Sequence, residues 1–296
     1  MSHETTAFDA FARQYLPAIE QALDRYSAVV NPYSIVPEAM RYSLLLPGKR
    51  IRPLLVLLSA DVCGGSIEKA MPAACAVEMV HTFSLIHDDL PAMDNDDLRR
   101  GKPSNHKVYG EAQAILAGDA LFALAFEVLA RHLQPSEIAL SCIQELASAT
   151  GSEGMAGGQS MDMQGLGSAP TLETLDLLHR RKTGALIRCT LRMGGIIANA
   201  SQDQLAALTK YGENVGLAFQ ITDDLLDVEG STVKAGKTIG KDQQQGKCTY
   251  PALLGVGESR KRAAMLIEDA IDAVTVFGKK AEVLEVLARS ILSRDL

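Results

Sequence analysis

Three carboxylates, Asp88, Asp89 and Asp94, close a long apolar stretch and run on into Asp96, Asp97, Arg99 and Arg100. A second acidic group, Asp223, Asp224 and Asp227, ends another apolar run far down the chain. Carboxylates held close together repel and shift one another's pKa, so such groups call for compensating cations. Clustered hard oxygen donors suit Mg²⁺, which keeps several waters and is commonly completed by substrate phosphate oxygens. On a helix, Asp223 and Asp227 share a face with Gln220 one turn below, and His81 stands two turns from Asp88. Asp94 lies beyond Pro91, in a loop free to fold back. Either cluster alone would read as a solvated helix end. Two of them, each following an apolar helix, predict one site lined from two sides, because carboxylates against a core are costly unless paired or metal-bound. The alternating ligands and central glycine of a calcium-binding EF-hand are missing.

The cations complete this chemistry. Lys49, Arg50 and Arg52 lie in one loop, Arg99 and Arg100 in another, Lys182 in mid-helix, and Lys237, Lys241 and Lys247 in a polar stretch. Each alone reads as a surface charge. Arginine suits bidentate phosphate contact and lysine acts as a mobile point charge. Two metal-binding acidic groups plus two basic groups describe a site for two diphosphates, one bridged by Mg²⁺ and the other held by direct cation contacts.

These groups need positioning elements, and the pattern predicts helices almost throughout. Phe8, Phe11, Tyr15, Ile19, Leu23 and Tyr26 recur at helical spacing, and the first helix stops at Asn31-Pro32. Helices are expected over residues 37–46, 54–63, 67–90, 111–132, 136–151, 172–200, 205–228 and 251–296, with a small-residue link at 154–158. No period-2 strand or internal repeat is found. Residues 229–249, polar and rich in glycine and lysine, read as a lid that closes over ligand. The reading is one all-α domain over residues 1–296. Nearly half of its 296 residues are apolar, enough for a large core. The net charge of −7 without a basic block argues against nucleic acid. Five widely spaced cysteines suggest reduced thiols and a cytoplasmic protein. Residues 1–20 lack the pattern of a signal peptide, and residues 112–133, interrupted by Asp119, Glu127 and Arg131, read as a buried helix with no membrane span.

With those residues in view the chain resembles the trans-isoprenyl diphosphate synthases, most nearly the bacterial farnesyl diphosphate synthases. The matching segments are GKRIRP (48–53), HTFSLIHDDLPAMDNDDLRRGKPS (81–104), AGDAL (117–121), GGQSMDM (157–163), HRRKTGALI (179–187), GLAFQITDDLLDV (216–228), GKTIGKD (236–242) and GKCTYPALLG (246–255). The resemblance implies an isoprenoid synthase fold of about ten or more helices around a deep central cavity, and a homodimer. It implies that Asp88, Asp89, Asp94, Asp223, Asp224 and Asp227 bind about three Mg²⁺ with the allylic diphosphate. Arg99, Lys182, Lys237 and Lys247 would hold that diphosphate, and Lys49, Arg52, His81 and Arg100 would hold isopentenyl diphosphate. Lys182, Thr183 and Gln220 would face the allylic cation with carbonyl and amide dipoles, and the departed diphosphate would take the proton. Two features depart from close relatives: Pro47 stands where glycine is common, and four residues separate Asp89 from Asp94.

A tail growing down the helix that carries Asp88 would meet Phe83, five residues or about 7.5 Å earlier, with Ser84 beside it. As a floor, this pair predicts a fifteen-carbon product; the alternative is that Phe83 is core packing. Two other readings stay open: a geranylgeranyl diphosphate synthase, and a non-catalytic diphosphate-binding subunit.

Overall fold

The computed structural model describes residues 6–28, 31–167, 169–229 and 247–293. Thr6 opens the first helix, α1 (Ala7–Tyr26): its hydroxyl accepts the Asp9 N–H at 3.1 Å and Asp9 reaches back to the Thr6 N–H, closing a capping box. Helices α2 (Val36–Leu44), α3 (Ile51–Val62) and α4 (Ile67–Asp88) follow. A two-residue pair, β1 (Leu98–Arg99) and β2 (Lys102–Pro103), then precedes α5 (Asn105–Tyr109), α6 (Glu111–His132), α7 (Ser136–Thr150), α8 (Met155–Gln164) and α9 (Leu172–His179). After a π-helical turn (Arg180–Gly184) come α10 (Ala185–Ile197), α11 (Gln202–Glu229), α12 (Tyr250–Leu254), α13 (Val256–Ala273) and α14 (Glu282–Ser293).

Composition decides which helices are central. Every residue of α3 from Pro53 to Ala60 is buried, and α4 buries an unbroken run from Ala73 to Val80. A helix that is apolar all round has no solvent face and belongs in the middle of the fold. Accordingly α3, α4 and α10 pack on one another, α6 lies along α4, and α11 lies along α10 and α13. A second, smaller core of Leu175, Leu217, Ile221, Leu225, Tyr250 and Ala263 clamps the C-terminal half of α11. Each fully buried leucine or isoleucine contributes about 1.5–3 kcal/mol, so this clamp fixes the segment that carries the second acidic group.

The all-α expectation holds, with three local corrections. The expected helix over 172–200 is interrupted by the π turn, whose wider backbone ring has no period that a hydrophobic pattern could reveal. The link at 154–158 belongs instead to the glycine-rich start of α8. A Cβ on Gly158 would stand 2.2 Å from the Lys182 amide nitrogen, so close packing against the π turn requires glycine and outweighs its poor helix propensity. The β1–β2 pair is too short to show alternation. It turns through Arg100 and Gly101 at φ 52° and 75°, the left-handed pair of a type I′ hairpin. As for α6, it is long and apolar enough by length and composition to cross a membrane. Charge count therefore does not decide the matter. Here α6 packs along α4 and buries Ala114, Ala117, Gly118, Leu121, Ala125, Val128 and Leu129, as a core helix does.

All five cysteines are free thiols, and burial pushes Cys63 up to about 11 and Cys142 up to about 12, so neither is a reactive thiolate.

Candidate active site

Helix α4 ends at Asp88 because Pro91 disfavours helical backbone in the residue before it. The loop then folds back, as expected: the Asp94 N–H bonds the Asp88 carbonyl at 2.8 Å and the Asp96 N–H bonds that of Asp89 at 3.2 Å. This returns Asp94 to the end of α4. Burial pushes the Asp88 carboxyl up to about 6; Lys182 opposes the shift, and the like charges of Asp94 and Asp89 add to it. The buried Asp89 is bound by Arg99, whose Nε donates at 3.0 Å while Nη2 makes a second, shorter bond. Burial opposes both charges and raises the Asp89 carboxyl, while the hydrogen bond to Asp89 raises Arg99 above the usual guanidinium value; the direct contact makes the two an ion pair. Two residues expected to face metal and diphosphate separately thus face each other.

From the second side, α11 presents Gln220, Asp223, Asp224 and Asp227 near its C-terminal end. Thr183 Oγ1 donates to Gln220 Oε1 at 2.6 Å, and Gln220 Nε2 donates to Asp223 Oδ2 at 3.2 Å. This chain fixes the amide orientation of Gln220 and joins the π turn to the second acidic group. Asp223 and Asp227 are partly exposed, one turn apart. Asp224 is buried, and its Oδ2 accepts the Tyr250 N–H at 2.9 Å, which ties down the start of α12.

Two lysines stand between the first acidic loop and Asp162 of α8. Lys182 Nζ lies 2.5 Å from Asp162 Oδ2, and Lys247 Nζ lies 3.5 Å from Asp162 and 3.8 Å from Asp94. Beneath them, His179 stacks on Tyr250 with ring centroids 5.5 Å apart. The Tyr250 hydroxyl donates to Asp176 at 2.7 Å, and Arg262 holds the other oxygen of Asp176. Both ring nitrogens of His179 are buried with no hydrogen-bond partner, and burial pushes the imidazole down to about 4. It is therefore neutral at pH 7.

A second group of cations gathers around α3 and α4. Arg50, with its backbone in the left-handed region at φ 50°, buries its whole side chain. It donates to Glu20 at 2.7 Å, to Glu78 at 2.7 Å, and to the Leu44 and Leu46 carbonyls at 2.9 Å each. Arg50 thus fastens α1, α2 and α4 together and is structural. Arg52 Nη1 lies 3.2 Å from His81 Nε2. Burial, then the charges of Arg52 and Arg100, hold His81 well below the usual imidazole value. The neutral ring must accept from Arg52, which places its proton on Nδ1. Arg100 reaches back from the hairpin to donate to the Leu46 carbonyl at 3.0 Å, with Glu78 at 3.5 Å. A Cβ on Gly48 would stand 2.7 Å from the Arg100 guanidinium, so glycine in this loop makes room for it. Lys49 is exposed on the same loop.

Of the residues singled out by sequence, the structure gathers Arg52, His81 and Arg100 into one cation group. It links Asp88, Asp94, Lys182, Thr183, Gln220, Asp223 and Lys247 around the other. Lys237 and Lys241 lie outside the described residues, with most of the expected lid. Phe83 is half-buried, its ring 4.8 Å from that of His87 and 5.0 Å from that of Phe122. Ser84 donates to the His81 carbonyl at 2.9 Å. Sequence reading assigned no role to Glu20, Glu78, Asp162 or His179. Asp162 and His179 sit inside quoted motifs, but a buried partner for a lysine leaves no periodic signal. A separate cleft of about 540 Å³ between α7, α10 and α11 carries Arg188 and Arg192, but both already pair with Glu213 and Glu145.

The π turn thus carries Lys182, whose charge acts on Asp88 of the first acidic end, and Thr183, which reaches Asp223 of the second through Gln220, with a separate arginine group around α3 and α4. The chain belongs to the polyprenyl synthetase family, which it matches over residues 33–288. It is a trans-prenyl diphosphate synthase, a prenyltransferase. It is 48% identical over 285 residues to farnesyl diphosphate synthase of Escherichia coli, covering 93% of this chain and 95% of that one. It is 46% identical over 280 residues to geranylgeranyl diphosphate synthase of Cyanophora paradoxa, covering 94% and 93%. Its fold superimposes on an apo FPP/GFPP synthase structure from Zymomonas mobilis with a TM-score of 0.87 at 39% identity, over 96% of this chain and 98% of that one.

Proposed function

We propose that the chain is a Mg²⁺-dependent farnesyl diphosphate synthase that condenses dimethylallyl and then geranyl diphosphate with isopentenyl diphosphate, as a cytoplasmic homodimer. The observation that carries this reading is the junction at the π turn. Lys182, paired with Asp162, lends its charge to Asp88 of the first acidic end, and Thr183 on the same turn bonds through Gln220 to Asp223 of the second.

Among the described residues, no three carboxylate, imidazole or thiolate side chains converge closely enough to hold a metal by themselves. That fits Mg²⁺, which takes one or two carboxylates and fills its remaining positions with water and phosphate oxygens. The donor set is all hard oxygen, the kind Mg²⁺ prefers. Asp88 and Asp94 from one side, and Asp223 and Asp227 from the other, would hold the ions, with Asp89 and Asp224 bracing the two ends through Arg99 and Tyr250. Bound Mg²⁺ supplies charge stabilisation to the departing diphosphate.

Lys182 and Lys247 bind the allylic diphosphate and stabilise the charge that develops as its C–O bond breaks. Thr183 and Gln220 turn their dipoles toward the allylic cation. Arg52, Arg100 and Lys49 orient isopentenyl diphosphate, and neutral His81 fixes the Arg52 guanidinium. The isopentenyl double bond attacks the cation, and a proton leaves to the diphosphate just released. The Phe83–Phe122 contact supports a fifteen-carbon limit, because it sets two packed aromatic rings about one and a half turns from Asp88 along α4. The adjacent apolar Ile115 and Leu116, exposed near the start of α6, support a dimer through that helix.

Product analysis tests the reading. The chain is incubated with Mg²⁺, isopentenyl diphosphate and either dimethylallyl or geranyl diphosphate, and the dephosphorylated alcohols are separated. Farnesol as the end product from both starters is expected. Geranylgeraniol would assign the chain to the longer-product enzymes, consistent with its equally similar relatives. Ligand binding without product would make it a non-catalytic subunit.

A further inference from the structure

The motif at residues 157–163 contains a carboxylate that the reaction as written leaves without a role. Asp162 lies in the last turn of α8 with its side chain only 13% exposed, and Lys182 Nζ stands 2.5 Å from its Oδ2. Lys247 Nζ stands 3.5 Å from the same oxygen. Burial alone would raise the Asp162 carboxyl, but Lys182, by charge and hydrogen bond, and then Lys247 hold it below the usual carboxylate range. It is an anion at neutral pH. The two lysines assigned above to the allylic diphosphate therefore converge on an anion that belongs to the protein.

An ammonium on a flexible four-carbon stem can exchange one anion for another without backbone movement. The backbone of Lys182 does not depend on Asp162 for its place, because the π turn packs on Gly158 too closely for a Cβ. Loss of Asp162 would therefore free the ammonium groups without moving the turn that carries Lys182.

We propose that Asp162 is a positioning residue that competes with diphosphate for Lys182 and Lys247, holding both lysines between turnovers and reclaiming them as the leaving diphosphate departs. It keeps the pair from binding the product too tightly. The proposal rests on the assignment of the two lysines to the allylic diphosphate, so its test must separate the two.

Inorganic diphosphate is titrated calorimetrically, in the presence of Mg²⁺, into the full chain as wild type, Asp162→Asn and Lys182→Gln. Lys182→Gln should weaken binding. Asp162→Asn should tighten it on the order of tenfold, the scale of one charge-assisted hydrogen bond that no longer has to be broken. In turnover, Asp162→Asn should lower kcat and KM for the allylic substrate together and sharpen inhibition by diphosphate. A merely structural role would raise KM. Equal or weaker diphosphate binding by Asp162→Asn, with Lys182→Gln still impaired, overturns the competitor and leaves the lysine assignment standing. Wild-type affinity in Lys182→Gln overturns both. Asp162→Ser removes the same charge with a smaller side chain and carries the test if Asp162→Asn does not fold.

Discussion

Replacing His179 by Phe should flatten the acid side of the stability profile. In the fold this imidazole titrates at about 4 because burial disfavours its charged form, against about 6.5 in an unfolded chain. The folded-state value is depressed, so between those values the unfolded chain binds the proton that the folded chain refuses. Stability is full above pH 6.5, falls as the pH drops, and is fully reduced below about 4. At pH 5 the linkage costs about 2 kcal/mol relative to pH 8. The unfolding entropy of a chain this long is about 0.6 kcal/mol per kelvin, so His179 alone should lower Tm by about 3 °C. Phe keeps the stacking on Tyr250 and removes both the titration and two buried nitrogens that lack partners. Its own packing change is the same at both pH values and cancels. The assay is thermal unfolding of wild type and His179→Phe in Mg²⁺-free buffer at pH 8 and pH 5. The variant should lose about 3 °C less between them. Identical losses would show that His179 is solvated or partnered and would refute the argument.

Phe83→Ala should open the space beneath Asp88 and shift the product toward twenty carbons, read by chromatography of the alcohols; an unchanged fifteen-carbon product would reduce Phe83 to core packing. Gly158→Ala would push a Cβ to 2.2 Å from the Lys182 amide nitrogen; it should cost about 1–3 kcal/mol in stability and lower kcat more than it changes KM, whereas wild-type kcat would sever the link between the π turn and turnover. Arg50→Leu leaves the 2%-exposed Glu78 without its main partner and should cost about 3–5 kcal/mol in denaturant unfolding, with a loss under 1 kcal/mol ruling out the fastening role.

Sequence by itself determined the class and most of the helices. Apolar periodicity is a property of the chain read locally, so residues 111–132 match α6 end to end. The first acidic cluster sits at a helix end because Pro91 dictates one, and Gln220 and Asp223 share a face because helical geometry requires it. What sequence could not determine is which charge faces which. Arg50 and Arg52 are two residues apart in one motif, yet Arg50 points into the core at Glu20 and Glu78 while Arg52 meets His81. The left-handed backbone at Arg50 separates them, and no propensity predicts it. Asp89 and Arg99 read as two independent ligands until the type I′ hairpin folds one onto the other. Asp162 reads as an ordinary polar residue until α8 lies against the π turn. Electrostatic partnership depends on distance through space, and those distances exist only once the helices have packed.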